Sequence, residues 1–201
     1  MTKLPAIPVV ILASGQARRF GSPKGLALID GVPIVQLIAS KMSEQTRGPI
    51  LINSDKDSEY AALGLGVLPD LTPGGLGPLA GLHTAIAWAL ENNFSQIVTV
   101  PVDTPFLPDN LVERLVDHGA PAIAESCDQQ HPICGIWSAK QIDEIETAVQ
   151  GGERRAMRWA SACNAAIVHF ECTYETDVFF NVNTPEDLAL AQRRAVQMRR
   201  K

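Results

Sequence analysis

Two hydrophobic rhythms divide the chain. Apolar runs of strand length occur at Val9 to Leu12, Ile50 to Ile52 and Gly66 to Leu68, and Gln96 to Val102, apolar but for Gln96 and Thr99, is the strongest central-strand candidate, as expected of strands buried on both faces. Between them, apolar residues recur at helical spacing. Ile34, Val35, Leu37, Ile38 and Met42 follow Pro33 at a first helical position, and Gly48-Pro49 closes that segment. Leu26 to Gly31 reads as a short extended piece and turn, and 58–63 as a weaker helix. Leu82, Ile86, Ala89 and Leu90 continue a helix that begins near Pro78, and Leu111, Leu115 and Val116 point inward from a helix over 108–118.

The second half carries strands at 121–125 and 132–137 joined by a polar turn from Ser126 to His131, a helix over 140–150, a short helix opened by Glu153-Arg154-Arg155, and a strand at 165–170. Alternation then places Asn181 and Asn183 on one face of a strand end, and Thr184 with Asp187 forms a helix-start box around Pro185. Strands alternating with helices predict an α/β fold around an open, mostly parallel sheet. Right-handed connections put the carboxyl ends of its strands on one rim, where ligands bind.

The first strand runs into Ser14-Gly15-Gln16-Ala17-Arg18-Arg19-Phe20-Gly21-Ser22-Pro23-Lys24. Small residues let backbone N–H groups approach an anion, while Arg18 or Arg19 and Lys24 supply positive charge for phosphate oxygens. The alternative is a polar surface loop. The Walker pattern is absent: five residues separate Gly15 from Gly21, and Ser22-Pro23 precede Lys24.

With 201 residues, 15 Gly, 14 Pro and a net charge of −5, the chain suits one α/β domain and excludes a broad nucleic-acid surface. No apolar run reaches the roughly 18 residues of a membrane span, and Met1 to Pro8 lacks a signal-peptide core, so a cytoplasmic protein is expected. Cys127, Cys134, Cys163 and Cys172 match no paired metal or redox spacing and read as packing thiols of a reducing compartment. A zinc site from Cys127, His131 and Cys134 lacks a fourth ligand nearby.

Four later stretches carry candidate chemistry. Asp70 to Leu82 holds Gly77-Pro78-Leu79-Ala80-Gly81, a glycine-lined helix start that either reads the edge of a flat heterocycle or links a strand to its return helix. Asp103 ends the strongest central strand, a place that would hold a Mg²⁺ bridging phosphates; an aspartate ahead of Pro105 is also an ordinary cap. Arg154 and Arg155, beside Gly151-Gly152, fit a phosphate or a solvated helix start. Asn181 and Asn183 fit an acceptor, a metal shell or a helix cap.

Leu12-Ala13-Ser14-Gly15, Arg19-Phe20-Gly21 and Lys24 resemble the Leu-Ala-Gly-Gly signature of nucleotidyltransferases, with Ser14 at a glycine position and Phe20 at a methionine position. Gly77 to Gly81, Val102-Asp103-Thr104-Pro105, His131-Pro132 and Gly152 to Arg155 resemble, in order, segments of the molybdenum cofactor guanylyltransferases. The resemblance implies a three-layer α/β/α Rossmann-like nucleotidyltransferase fold in a single domain over 1–201, with a nucleotide-binding half to about residue 105 and an acceptor-binding half from about 106. It implies transfer of GMP from GTP to molybdopterin carrying molybdenum, with Mg²⁺ on Asp103. Lys24 and Arg19 would offset triphosphate charge. Leu12, Ala13, Ser14, Gly15, Asn53, Asp70, Gly77, Pro78 and Leu79 would border the nucleotide, and His131, Arg154, Arg155, Asn181 and Asn183 the acceptor. Molybdoenzyme apo-proteins and other cofactor-biosynthesis proteins are the implied protein partners. A cytidylyltransferase on the same pterin, a sugar-phosphate nucleotidyltransferase and a non-catalytic cofactor carrier are the alternatives.

Overall fold

Alternate residues of the central strand β1 enter different cores, which is why that strand is apolar throughout. In the computed structural model, which describes residues 4–13, 24–55, 60–72, 77–173 and 177–198, Val9 and Ile11 of strand β1 (Val9–Leu12) join one hydrophobic cluster while Val10 and Leu12 join the other. The first cluster takes in helices α1 (Ile34–Ser43), α3 (Leu111–His118) and α6 (Pro185–Met198). The second takes in α2 (Pro78–Glu91), α4 (Ile142–Gln150) and α5 (Ala156–Ala162). Helices on both faces of one sheet make three layers.

Strands β2 (Leu28–Ile29) and β3 (Val32–Pro33) form a small hairpin. The remaining strands are β4 (Ile50–Asn53), β5 (Gly66–Leu68), β6 (Gln96–Pro101), β7 (Ala122–Ser126), β8 (Gln129–Ser138) and β9 (Ala166–Phe170). Among the described residues they build with β1 a seven-stranded sheet of order β5-β4-β1-β6-β8-β7-β9. Every pairing is parallel except those of β8, which runs against β6 and β7. The expected mostly parallel α/β architecture is therefore present. No helix among the described residues is long and apolar enough to cross a membrane.

Four local expectations need correction. The turn between β7 and β8 is tighter than Ser126 to His131: Cys127 and Asp128 alone make it, at φ 48° and 58°, because Gln129 and Gln130 pair in the ladder with Ser126 and Glu125. Pro132 falls in an irregularity of that ladder between Ile123 and Ala124, where its missing N–H costs no pairing. Asn181 and Asn183 lie on an irregular segment rather than a strand end, since Val182 N–H donates to the carbonyl of Asp103 at 2.8 Å and to no sheet partner. Glu153 to Arg155 precede α5 rather than forming its first turn; the Glu153 carboxylate accepts from the backbone N–H groups of Arg154 and Arg155, both at 2.9 Å.

The fourth correction concerns the cysteines. Cys127 and Cys172 form a disulfide across Cα atoms 5.7 Å apart, where four thiols were expected. Strand β9 pairs with β7 in register up to Phe170 opposite Ser126, which brings residue 172 beside residue 127. Cys134 and Cys163 are free, and burial pushes the Cys134 thiol far up. With Cys127 in the disulfide, the zinc site does not form.

Candidate functional site

Register aligns the candidate residues on one rim. Leu12 pairs with both Asn53 and Pro101, and Asn53 pairs with Leu68. The chain therefore leaves β1, β4, β5 and β6 at one level, carrying Ala13, Ser54, Asp70 and Asp103 to the same edge. Ala13 N–H donates to the Asn53 carbonyl at 2.9 Å, extending that edge by one residue. Ser14, Gly15, Arg18, Arg19 and Gly21 lie outside the described residues.

Lys24 re-enters the rim at the start of a single 3₁₀ turn, Lys24–Leu26. Its Nζ stands 3.5 Å from Asp103 Oδ2 and donates to Asn183 Oδ1 at 2.5 Å. Burial raises the Asp103 pKa, and the adjacent Lys24 ammonium opposes the shift without cancelling it. Gly25 makes this approach possible. A Cβ there would lie 2.7 Å from Val102 Cγ2 and 2.9 Å from Tyr60 Oη, so only glycine lets the Lys24 turn rest against the residue before Asp103. Sequence reasoning missed Gly25 and Tyr60, because nothing local says that Val102 faces them.

A second cluster forms between β4 and α2. Asn53 is fully buried and its Nδ2 donates to Leu68 O at 3.1 Å and to Asp70 Oδ1 at 2.8 Å. Its Oδ1 is buried and accepts no hydrogen bond from the described residues. That oxygen sits against Gly81, whose Cβ, were there one, would be 2.4 Å away. Gly77 precedes α2 with φ 82°, Pro78 occupies its first turn, and the Ala80 amide bonds back to the Gly77 carbonyl at 3.2 Å. Leu79 is buried.

Residues expected on the acceptor side divide. Asn183 reaches Lys24, and Asn181 is half-buried two residues before it. The backbone of Arg154 packs beside Gly77, with its carbonyl 3.3 Å from where a Cβ would stand, so Arg154 and its exposed neighbour Arg155 flank the start of α2. His131 is occupied: its Nε2 lies 2.9 Å from Ser126 Oγ and its ring stacks on Phe179, centroids 4.4 Å apart. Ser126 Oγ also donates to Asp177 Oδ1 at 3.2 Å. Burial lowers the His131 pKa against the opposing charges of Asp177 and Glu125. Neither Ser126 nor Asp177 carried a sequence signal, since 51 residues separate them. Thr184 and Asp187 cap α6 reciprocally, at 2.9 and 3.1 Å.

Residues 9–166 match the family model of the MobA-like NTP transferase domain. A molybdenum cofactor guanylyltransferase of Rhodobacter capsulatus is 39% identical over 190 residues, covering 94% of this chain and 96% of the relative. The chain belongs to this family. A second member, the molybdenum cofactor guanylyltransferase of Rhizobium meliloti, is 35% identical over 92% of this chain and 90% of its own length. The crystal structure of molybdopterin-guanine dinucleotide biosynthesis protein A from Archaeoglobus fulgidus superposes with a TM-score of 0.73, at 22% identity, over 96% of this chain and all of that one, which establishes the shared fold. As a member of the family, the chain is a nucleotidyltransferase.

Proposed function

We propose that this nucleotidyltransferase moves GMP from GTP to the terminal phosphate of molybdenum-molybdopterin. The reading rests on family membership and, in the molecule, on one observation. Lys24 lies between Asp103, at the end of the central strand, and Asn183, 159 residues on, so one ammonium touches the side chains expected to serve the nucleotide and the acceptor.

A terminal phosphate oxygen of the pterin attacks the α-phosphorus of GTP in line; the new P–O bond forms as the bond to the β-phosphate oxygen breaks, and pyrophosphate leaves with the electron pair. The attacking oxygen is already anionic at neutral pH, so positioning and charge compensation carry the catalysis. Lys24 and Arg19 offset the triphosphate charge. Asn53 offers its unused Oδ1, and Leu12 to Gly15, Asp70 and Gly77 to Leu79 border the nucleotide. Arg154, Arg155, Asn181 and Asn183 serve the acceptor. Asp103 suits a Mg²⁺ ion, which is held in such enzymes by one or two carboxylates with phosphates and water completing the shell; when bound, the ion neutralises developing charge on phosphate oxygens. A partly buried carboxylate with a raised pKa at this rim fits that donor set. Placement in the cytoplasm, and hand-over of product to molybdoenzyme apo-proteins, belong to the same reading.

The test is pyrophosphate release from purified protein with molybdopterin cofactor, Mg²⁺ and either GTP or CTP. Release with GTP that disappears in Asp103→Ala is expected. Release with CTP instead moves the assignment to cytidylyl transfer, and nucleotide binding without release overturns the catalytic reading.

A further inference from the structure

The segment that carries Asn183 is held from its far end. Asp177 Oδ1 accepts from Ser126 Oγ at 3.2 Å and from Phe179 N–H at 2.9 Å, and Phe179, itself buried, stacks on His131. Because the single Ser126 proton goes to the carboxylate, the contact at 2.9 Å requires a proton on His131 Nε2, which donates to Ser126 Oγ. The order is thus His131 to Ser126 to Asp177. One residue past Ser126, the hairpin turn is tied through Cys127 to Cys172. At the near end of the same segment, Val182 N–H binds the carbonyl of Asp103 and Asn183 accepts from Lys24.

We propose that Ser126, His131 and Asp177, braced by the Cys127–Cys172 disulfide, are positioning residues that set the 177–183 segment so that Asn183 holds Lys24 against Asp103. None of the three contacts Lys24 or Asp103. Their role is transmitted along the irregular backbone of residues 177–183, whose fixed points are buried Phe179 and Val182 and the Asp177 carbonyl, which accepts from Arg194 Nη1. Such a segment lacks ladder bonds of its own, so its geometry depends on these side-chain attachments. Disulfides of cytosolic proteins are commonly labile, and reduction by a dithiol, yielding two thiols, would loosen this clamp without changing any residue at the rim.

The proposal rests on the transfer reading for its kinetic arm and stands apart from it in its exchange arm. Hydrogen exchange at the Val182 amide is measured in the wild type, in Ser126→Ala, and in wild type reduced with a dithiol, which needs no substitution; exchange about tenfold faster in the variant and the reduced protein is expected. In pyrophosphate release, Ser126→Ala is expected to lower kcat about tenfold with an unchanged KM for GTP. Combined with Asn183→Ala it should cost nothing beyond Asn183→Ala alone, because both act through one contact. His131→Phe, which keeps the stack and the Ser126–Asp177 bond but loses the donor to Ser126, should accelerate exchange and lower kcat in the same direction but by less than Ser126→Ala. Unaccelerated exchange in the variant and the reduced protein, or losses that multiply in the double variant, overturns the proposal. A wild type that releases no pyrophosphate refutes the transfer reading instead, and the exchange arm still decides the clamp.

Discussion

Replacing Gly81 by alanine sets two effects of opposite sign against each other. Within a helix the change ordinarily stabilises by about 1 kcal/mol, and Gly81 lies inside α2 with no positive φ to forbid a side chain. Its new Cβ, however, would stand 2.4 Å from Asn53 Oδ1, about an ångström inside ordinary contact, and 3.4 Å from Asn53 Cγ. Relief requires Asn53 to swing away from Leu68 O and Asp70 Oδ1, bonds of 3.1 and 2.8 Å. The first is a neutral bond worth about 1 kcal/mol and the second, to a carboxylate, about 1.5–3 kcal/mol. After the helical gain of about 1 kcal/mol, a net loss of about 1.5–3 kcal/mol remains, or a fall in Tm of roughly 5 °C for a chain of this size. Urea unfolding followed by circular dichroism reads the stability, and titration calorimetry with GTP reads the site, where affinity should drop about tenfold or more as Asn53 moves by about an ångström. A Gly81→Ala protein that is more stable than wild type and binds GTP equally well would refute the claim that Asn53 is pinned against this helix.

Three further outcomes follow from the same geometry. Asp103→Asn should abolish transfer yet raise Tm at pH 7: burial raises the folded-state pKa of Asp103 above its ordinary 3.8, so the ionised carboxylate costs stability, and the gain should vanish below about pH 3.8, where the group is protonated in both states. A pH-independent difference would assign the effect to packing. Gly25→Ala drives a Cβ to 2.7 Å from Val102 Cγ2, displaces Lys24 from Asp103, and should cut kcat about 10²-fold with folding retained; unchanged kcat would mean that Lys24 is set by other contacts. Mass spectrometry after alkylation of denatured, unreduced protein should find label on Cys134 and Cys163 alone, and on Cys127 and Cys172 only after reduction; label on all four without reductant would show that the bridge does not form.

Local pattern marked most of the strands and helices, because burial on both faces makes β1 wholly apolar and leaves β6 only Thr99 as a buried polar position, and because Pro33, Pro78 and Pro185 each stand at a helix start. It also supplied Lys24, Asp103 and the Gly77 to Gly81 segment, since each follows directly on a strand or opens a helix. Those signals act over about ten residues. What lies beyond that range was settled by ladder register and core packing: Leu12 level with Asn53 and Pro101, Lys24 against Asn183, Gly25 under Val102, and Cys127 beside Cys172. Asn181 and Asn183 mark the difference. Their spacing of two suggested a strand, but no sheet edge passes that point, and the segment is held instead by the Asp103 carbonyl and by a serine, a histidine and a disulfide of the distant hairpin. The candidate site residues are thus legible along the chain, whereas the contacts that hold them in place arise only when the sheet brings its strands together.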